Sequence, residues 1–210
     1  MLSTLFSNPL SFIVYLLSLI IAITIHEFAH AYVANRLGDP TPHLQGRVTL
    51  NPLAHLDPLG TLMLLIAGFG WGRPVQFDPF NLRHPKRDAA IISLAGPASN
   101  IILAILLSLI VRFSLLGLLS QLLTPIIYLN VLLAVFNLVP IHPLDGFKVV
   151  GGLLPRQYYH QWMELERYGL IFLIILIFPI FGRSPISAII SPIIGFIMNI
   201  LLPGSLGGII

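Results

Sequence analysis

The sequence contains no cysteine, which excludes disulfides and thiolate metal sites and leaves the redox compartment unconstrained. Acidic residues are almost as scarce: there are eight in 210, and only Glu27, Glu164 and Glu166 are glutamates. Charged residues make up 9% of the chain against roughly 25% in a soluble protein, and hydrophobic residues 56% against about 45–50%. Those proportions exclude an ordinary soluble domain and define a membrane protein. The eleven Lys and Arg stand singly between apolar runs and form no basic face. Nucleic acid is therefore not a partner, and orienting the chain in a bilayer is the use of its net charge of +3. The opening MLSTLFSNPLSF has no basic n-region, and no small-x-small cleavage site follows its apolar run. The first run is read as a retained span rather than a signal peptide.

Apolar runs long enough to cross a hydrocarbon core of ~30 Å cover 10–34, 89–118, 122–139, 165–181 and 185–202. A sixth, LGTLMLLIAGFG at 59–70, is too short to span and is bounded by Pro58, Gly68 and Gly70. The positive-inside rule decides its course. If 59–70 dips in and returns, nine basic residues share one side against Arg112 and Arg183 on the other; if it crosses, the best split is seven to four. The segment is read as re-entrant or interfacial, with the N-terminus outside and 35–88 and 140–164 cytosolic. Within the Pro- and Gly-rich stretch that follows the first run, QGRVTL at 45–50 reads as a short strand at the membrane surface. The expected fold class is an all-α membrane protein: five transmembrane helices, the segment 59–70 and a short interfacial strand element. It forms a single domain, 1–210, with a core at about 10–150 and accessory helices in 165–202. The expected location is multi-pass, in the plasma (inner) membrane of a prokaryote.

Toward the end of the first run stands His26-Glu27-Phe28-Ala29-His30. Two histidines four apart share one helix face and can hold one metal, and the glutamate beside them is placed to act as general base. In a chain of this composition the pattern is expected by chance only about 0.003 times. Counting back from Arg36 at 1.5 Å per residue puts His30 about 9 Å and His26 about 15 Å below the charged end. An ionised residue at a helix centre costs roughly 2.5–3.5 kcal/mol on the insertion scale, and such residues mark function. A catalytic zinc takes three protein ligands and keeps one position open. Of the remaining Asp, Glu and His, Asp145 stands out. It follows Pro140 and Pro143, which stop the preceding span from continuing as a helix, and non-helical backbone at that depth is tolerated where it lines protein or a watery cavity.

The ordered trio of HEFAH at 26–30, AGPASN at 95–100 and NLVPIHPLDG at 137–146 resembles the site-2 proteases, which are intramembrane zinc metalloproteases. The likeness covers roughly 10–150. It implies a Zn2+ cofactor held by His26, His30 and Asp145, with Glu27 as base and Asn137 positioning the substrate or stabilising the oxyanion. Gly96 and Asn100 fall on the family's helix-packing motif. Larger members carry PDZ or other soluble domains; no inserted domain is visible here, which makes the chain look like a minimal core. The implied partners are the lipid bilayer and a substrate, either a single-span membrane protein or a signal-peptide-like segment, cut near the cytosolic leaflet. The strand at 46–50 is a candidate clamp for the unwound substrate. His55 is a candidate fourth ligand or gating residue, and His142 a loop-lining one. The alternative class is a catalytically silent membrane binding or metal-handling protein on the same fold. The intact glutamate beside two ligands favours the protease.

Overall fold

Proline opens four of the nine α-helices among the described residues. In a computed structural model that describes residues 8–67, 70–113, 117–179 and 184–202, the helices α1 (Pro9–Arg36), α3 (Pro58–Ala67), α4 (Pro85–Phe113) and α9 (Pro185–Leu201) each start at one. Its fixed φ suits the first turn and its missing N–H is not needed there. Asn8 caps α1 by accepting the N–H of Ser11 at 3.1 Å, which satisfies one of the free donors of that first turn. The remaining helices are the single turn α2 (Thr41–Leu44), α5 (Gly117–Asn137), α6 (Asp145–Leu153), α7 (Arg156–Glu164) and α8 (Glu166–Ile177).

Three of these, α1, α4 and α5, are long and apolar enough to cross a membrane, with mean hydropathies of 2.1, 2.2 and 1.9. They pack together, and α4 also takes α6 against it, while α9 lies on α5. Small side chains allow this closeness: Ala22, Ala31 and Ala34 on α1, Ala104 on α4 and Ala134 on α5 have no exposed surface. A larger apolar cluster of Ile127, Val131, Ile190, Ile194 and Met198 joins α5 to α9. Helices α8 and α9 are apolar but shorter, at 12 and 17 residues. Residues 180–181 of the run 165–181, 114–116 of the run 89–118, 68–69 of the segment 59–70 and Arg183 lie outside the described residues.

Two loops carry the rest. The segment around α3 leaves and returns to its own start: Leu56 bridges to Gly72, and a Cβ on Gly70 would sit 2.2 Å from the carbonyl of Gly60. After α5, helical structure ends at Asn137, and the chain folds tightly enough that a Cβ on Gly146 would lie 2.2 Å from the Leu138 carbonyl. The strand expected at 45–50 does not form, and no strand occurs among the described residues. The physical reason is local hydrogen bonding. The Thr49 N–H donates to the Arg47 carbonyl at 2.9 Å, the Thr49 hydroxyl accepts the Asn51 N–H at 3.1 Å, and the Thr49 carbonyl accepts from His55 at 2.8 Å. These bonds close a turn and leave no ladder to extend.

Candidate metal centre

The last three turns of α1 bring His26 and His30 onto the face that meets α4, and α6 brings Asp145 to them from its first turn. Asp145 Oδ2 lies 3.0 Å from His26 Nε2 and 3.2 Å from His30 Nε2. A tetrahedral zinc with bonds of about 2.0–2.2 Å holds its ligand atoms roughly 3.3–3.6 Å apart, so a shift of a few tenths of an ångström brings these atoms to that spacing. Among the described residues these three form the one group of His and acidic side chains that can hold a metal.

The donor chemistry fits as well. His26 Nδ1 is 2.6 Å from Asn100 Oδ1, and the amide nitrogen of that asparagine donates to the Ala22 carbonyl at 3.0 Å and to Asn130 Oδ1 at 2.7 Å. Because its nitrogen is engaged as a donor, Asn100 can only accept from His26, which places the ring proton on Nδ1. His30 Nδ1 lies 2.7 Å from the carbonyl of Ile92, an acceptor with nothing to donate. Both imidazoles are thereby left with Nε2 lone pairs aimed at Asp145, the arrangement that metal-ligating histidines adopt through their outer hydrogen bonds. Gly96 makes room for the rings: a Cβ there would be 2.4 Å from His30 Nε2 and 2.7 Å from His26 Nε2.

Glu27 and Asn137 line a cavity of about 150 Å³ with these three residues. Glu27 Oε2 accepts the Val75 N–H at 2.9 Å, and Asn137 donates to the Leu133 carbonyl one turn back at 2.9 Å. His55 does not join the group. It is fully buried with Nε2 on the Thr49 carbonyl, and burial and then the Arg47 charge hold its pKa below the ordinary value, against the pull of that carbonyl. His142 faces Glu166 at 3.5 Å instead. Sequence reasoning missed Asn130, Val75 and Lys148, which lines the same cavity with its ammonium 4.6 Å from the Phe77 ring. Lys148 lies one helical turn beyond Asp145, and that spacing is a signal that could have found it.

Apolar helices around two buried histidines and a half-buried aspartate, with a glutamate on the same cavity, define a membrane protein with the makings of a metal hydrolase. The chain is 41% identical over 184 residues to "Putative zinc metalloprotease YwhC" of Bacillus subtilis (strain 168), covering 82% of this chain and 84% of that protein. It is 33% identical over 198 residues to "Putative zinc metalloprotease Rip2" of Mycolicibacterium smegmatis, covering 84% of this chain and 73% of the relative. The archaeal "Zinc metalloprotease MJ0392" of Methanocaldococcus jannaschii is 24% identical over 156 residues, 38% of its length. No family model and no solved structure matches. The chain belongs to the zinc metalloprotease family of YwhC and Rip2, and its cofactor is zinc.

Proposed function

We propose that the chain is an intramembrane zinc endopeptidase of the site-2 protease type. It cuts single-span or signal-peptide-like segments near the cytosolic leaflet of a prokaryotic plasma membrane. The observation that carries this reading is the convergence of buried His26 and His30 with half-buried Asp145 between apolar helices, with both imidazole tautomers set for a metal and Glu27 on the same cavity. In this reading 10–34, 89–118, 122–139, 165–181 and 185–202 span the bilayer, 59–70 dips in and returns, and 1–210 acts as one protease domain.

When bound, zinc would lower the pKa of water to about 7 and polarise a carbonyl. The protein's own groups do the rest. Asn100 and the Ile92 carbonyl hold the imidazoles in the ligating tautomer, and Asp145 supplies the third ligand and the negative charge. Glu27 takes the proton of the attacking water and returns it to the leaving amine. Asn137, on the cavity wall, binds the scissile segment. The surrounding apolar helices exclude bulk water, so the substrate helix must unwind at the site to expose its peptide bond.

The test is quantitative membrane proteomics of source cells carrying wild type or Glu27→Gln. Single-span proteins should accumulate at full length only with the variant, with loss of their cytosolic fragments. No difference, in cells shown to contain the zinc-loaded protein, would favour a silent or metal-handling role.

A further inference from the structure

Glu27 makes two contacts that holding a metal does not require. Its Oε2 accepts the Val75 N–H at 2.9 Å, and the Arg47 guanidinium lies 3.8 Å from the same oxygen. Oε1 makes no hydrogen bond to the described residues. Both partners come from loops outside α1. The segment carrying Val75 is fastened on each side. Arg73 donates its N–H to the His55 carbonyl at 2.7 Å and accepts from Arg47 Nη2 at its own carbonyl, and Asp78 N–H donates to Asp39 at 2.7 Å. Arg47 is anchored through its own N–H to the Pro42 carbonyl at 2.8 Å. A single cation thus touches Glu27 and the chain that crosses over it.

Stability does not account for Arg47. It is 3% exposed, and its Nε has no hydrogen-bond partner among the described residues. Burying a guanidinium with a donor left over is costly, and replacing such a pair by apolar groups is often neutral or better. What the pair supplies is position. The terminal torsion of a glutamate is broad, and a carboxylate has two oxygens with about four acceptor sites. Tying Oε2 stops that rotation and leaves one oxygen for a proton.

We propose that the Val75 N–H and Arg47 are positioning groups for the base, holding Glu27 by Oε2 so that Oε1 exchanges the proton with water and leaving amine. The inference rests on the reading of Glu27 as general base. Val75→Pro deletes this one donor next to Pro74, whereas Val75→Ala keeps it. The full chain, zinc-loaded in detergent, is assayed with a quenched single-span peptide of about 20 apolar residues and by binding of acetohydroxamate, whose proton the same carboxylate must hold. Val75→Pro should lower kcat on the order of 100-fold, the effect of a small misplacement of a reacting group. KM and zinc content should not move, and hydroxamate affinity should fall about tenfold, while Val75→Ala keeps most of both. Arg47→Met should follow Val75→Pro, with Arg47→Lys recovering part of the loss. Should Arg47→Met not fold, the Val75 pair decides alone. A wild-type kcat and hydroxamate affinity in Val75→Pro would overturn the inference, and so would a rise in kcat, which would mean that the N–H blocks the base. Glu27→Gln separates the two layers. If it keeps turnover and hydroxamate affinity, the general-base reading falls; if it loses both while Val75→Pro does not, the positioning role alone falls.

Discussion

Gly96 sets how closely α4 can approach the two imidazoles, because a methyl at that position would enter the space of both Nε2 atoms. A Gly96→Ala protein must move the rings or the helix, and either breaks the match to a tetrahedral ion. Asn100→Ala acts from the other side of the same ring by removing the acceptor that keeps the His26 proton on Nδ1. Losing such an outer partner typically weakens metal affinity by about 10–100-fold. Both variants should show at least a tenfold weaker hold on zinc in competition with a chelator, at unchanged helix content by circular dichroism. Wild-type affinity in either would remove the assigned role from that residue. The histidines were legible in sequence because four-residue spacing on a helix is itself the geometry. Asn100 read as packing only, since its bond to His26 joins residues 74 apart, and no local period reports such a contact.

At the scale of elements, the loops beside the metal group depend on Asp39, which is fully buried. It accepts the Thr41 N–H at 3.0 Å, the Thr41 hydroxyl at 2.6 Å, the Asp78 N–H at 2.7 Å and the Asn81 amide at 2.8 Å, and so ties the turn after α1 to the segment entering α4. Gly38, with φ of 108°, makes the bend that puts it there. Burial raises the pKa of this carboxyl, but the hydrogen bonds outweigh it and leave the group below its ordinary value. A lowered folded-state pKa means stability that is present above about pH 3.9, the unfolded value, and lost as the pH falls through the folded one. Asp39→Asn keeps the shape but lacks an oxygen acceptor, at a cost of about 1–3 kcal/mol. With metal removed from both, the Tm difference between wild type and Asp39→Asn should be constant from pH 5 to 8 and shrink below about pH 4. A difference that grows on acidification would refute the assignment. In the sequence Asp39 was only one carboxylate among the possible zinc ligands, and QGRVTL had the composition of a strand. QGRVTL was decided by hydrogen bonds among 47–55 that close a turn, and Asp39 by Asp78 and Asn81, which come from the far side of α3.

At the scale of the whole molecule, the described residues set polar side chains within a largely apolar core and leave many large apolar ones on the outside. Ser18, Ser93, Asn100 and Asn130 are buried beside the apolar core, while Leu10, Ile102, Phe113 and Phe196 are exposed, an apolar outer surface consistent with lipid around the long helices. Composition made the membrane character legible, and the lengths of α1, α4 and α5 followed from the apolar runs, whereas in the run 165–181 helix α8 stops at Ile177 after 12 residues. The course of 59–70 is inferred from charge and, independently, from the need for the end of the run 10–34 and the loop after 139 to share one membrane face. The metal group adds a constraint. It needs the His30 end of α1 and the start of α6 on one membrane face. With 37–84 returning to the face it left, α4 and α5 cross out and back, and Asp145 arrives where His30 is; with 59–70 crossing, the two would face opposite leaflets. Because the native chain has no cysteine, single cysteines can be read with a membrane-impermeant maleimide against no background. Leu44→Cys and Leu153→Cys, both 80% exposed as leucines, should label from the cytosolic side, and Leu118→Cys, 69% exposed, from the other. Leu62→Cys in α3 should not label from the Leu118 side, because α3 has 10 residues and is about 15 Å long, half of a hydrocarbon core. Labelling of Leu44→Cys and Leu153→Cys from opposite sides would break the topology and the metal site together, since no arrangement of three spans could then bring Asp145 to the histidines.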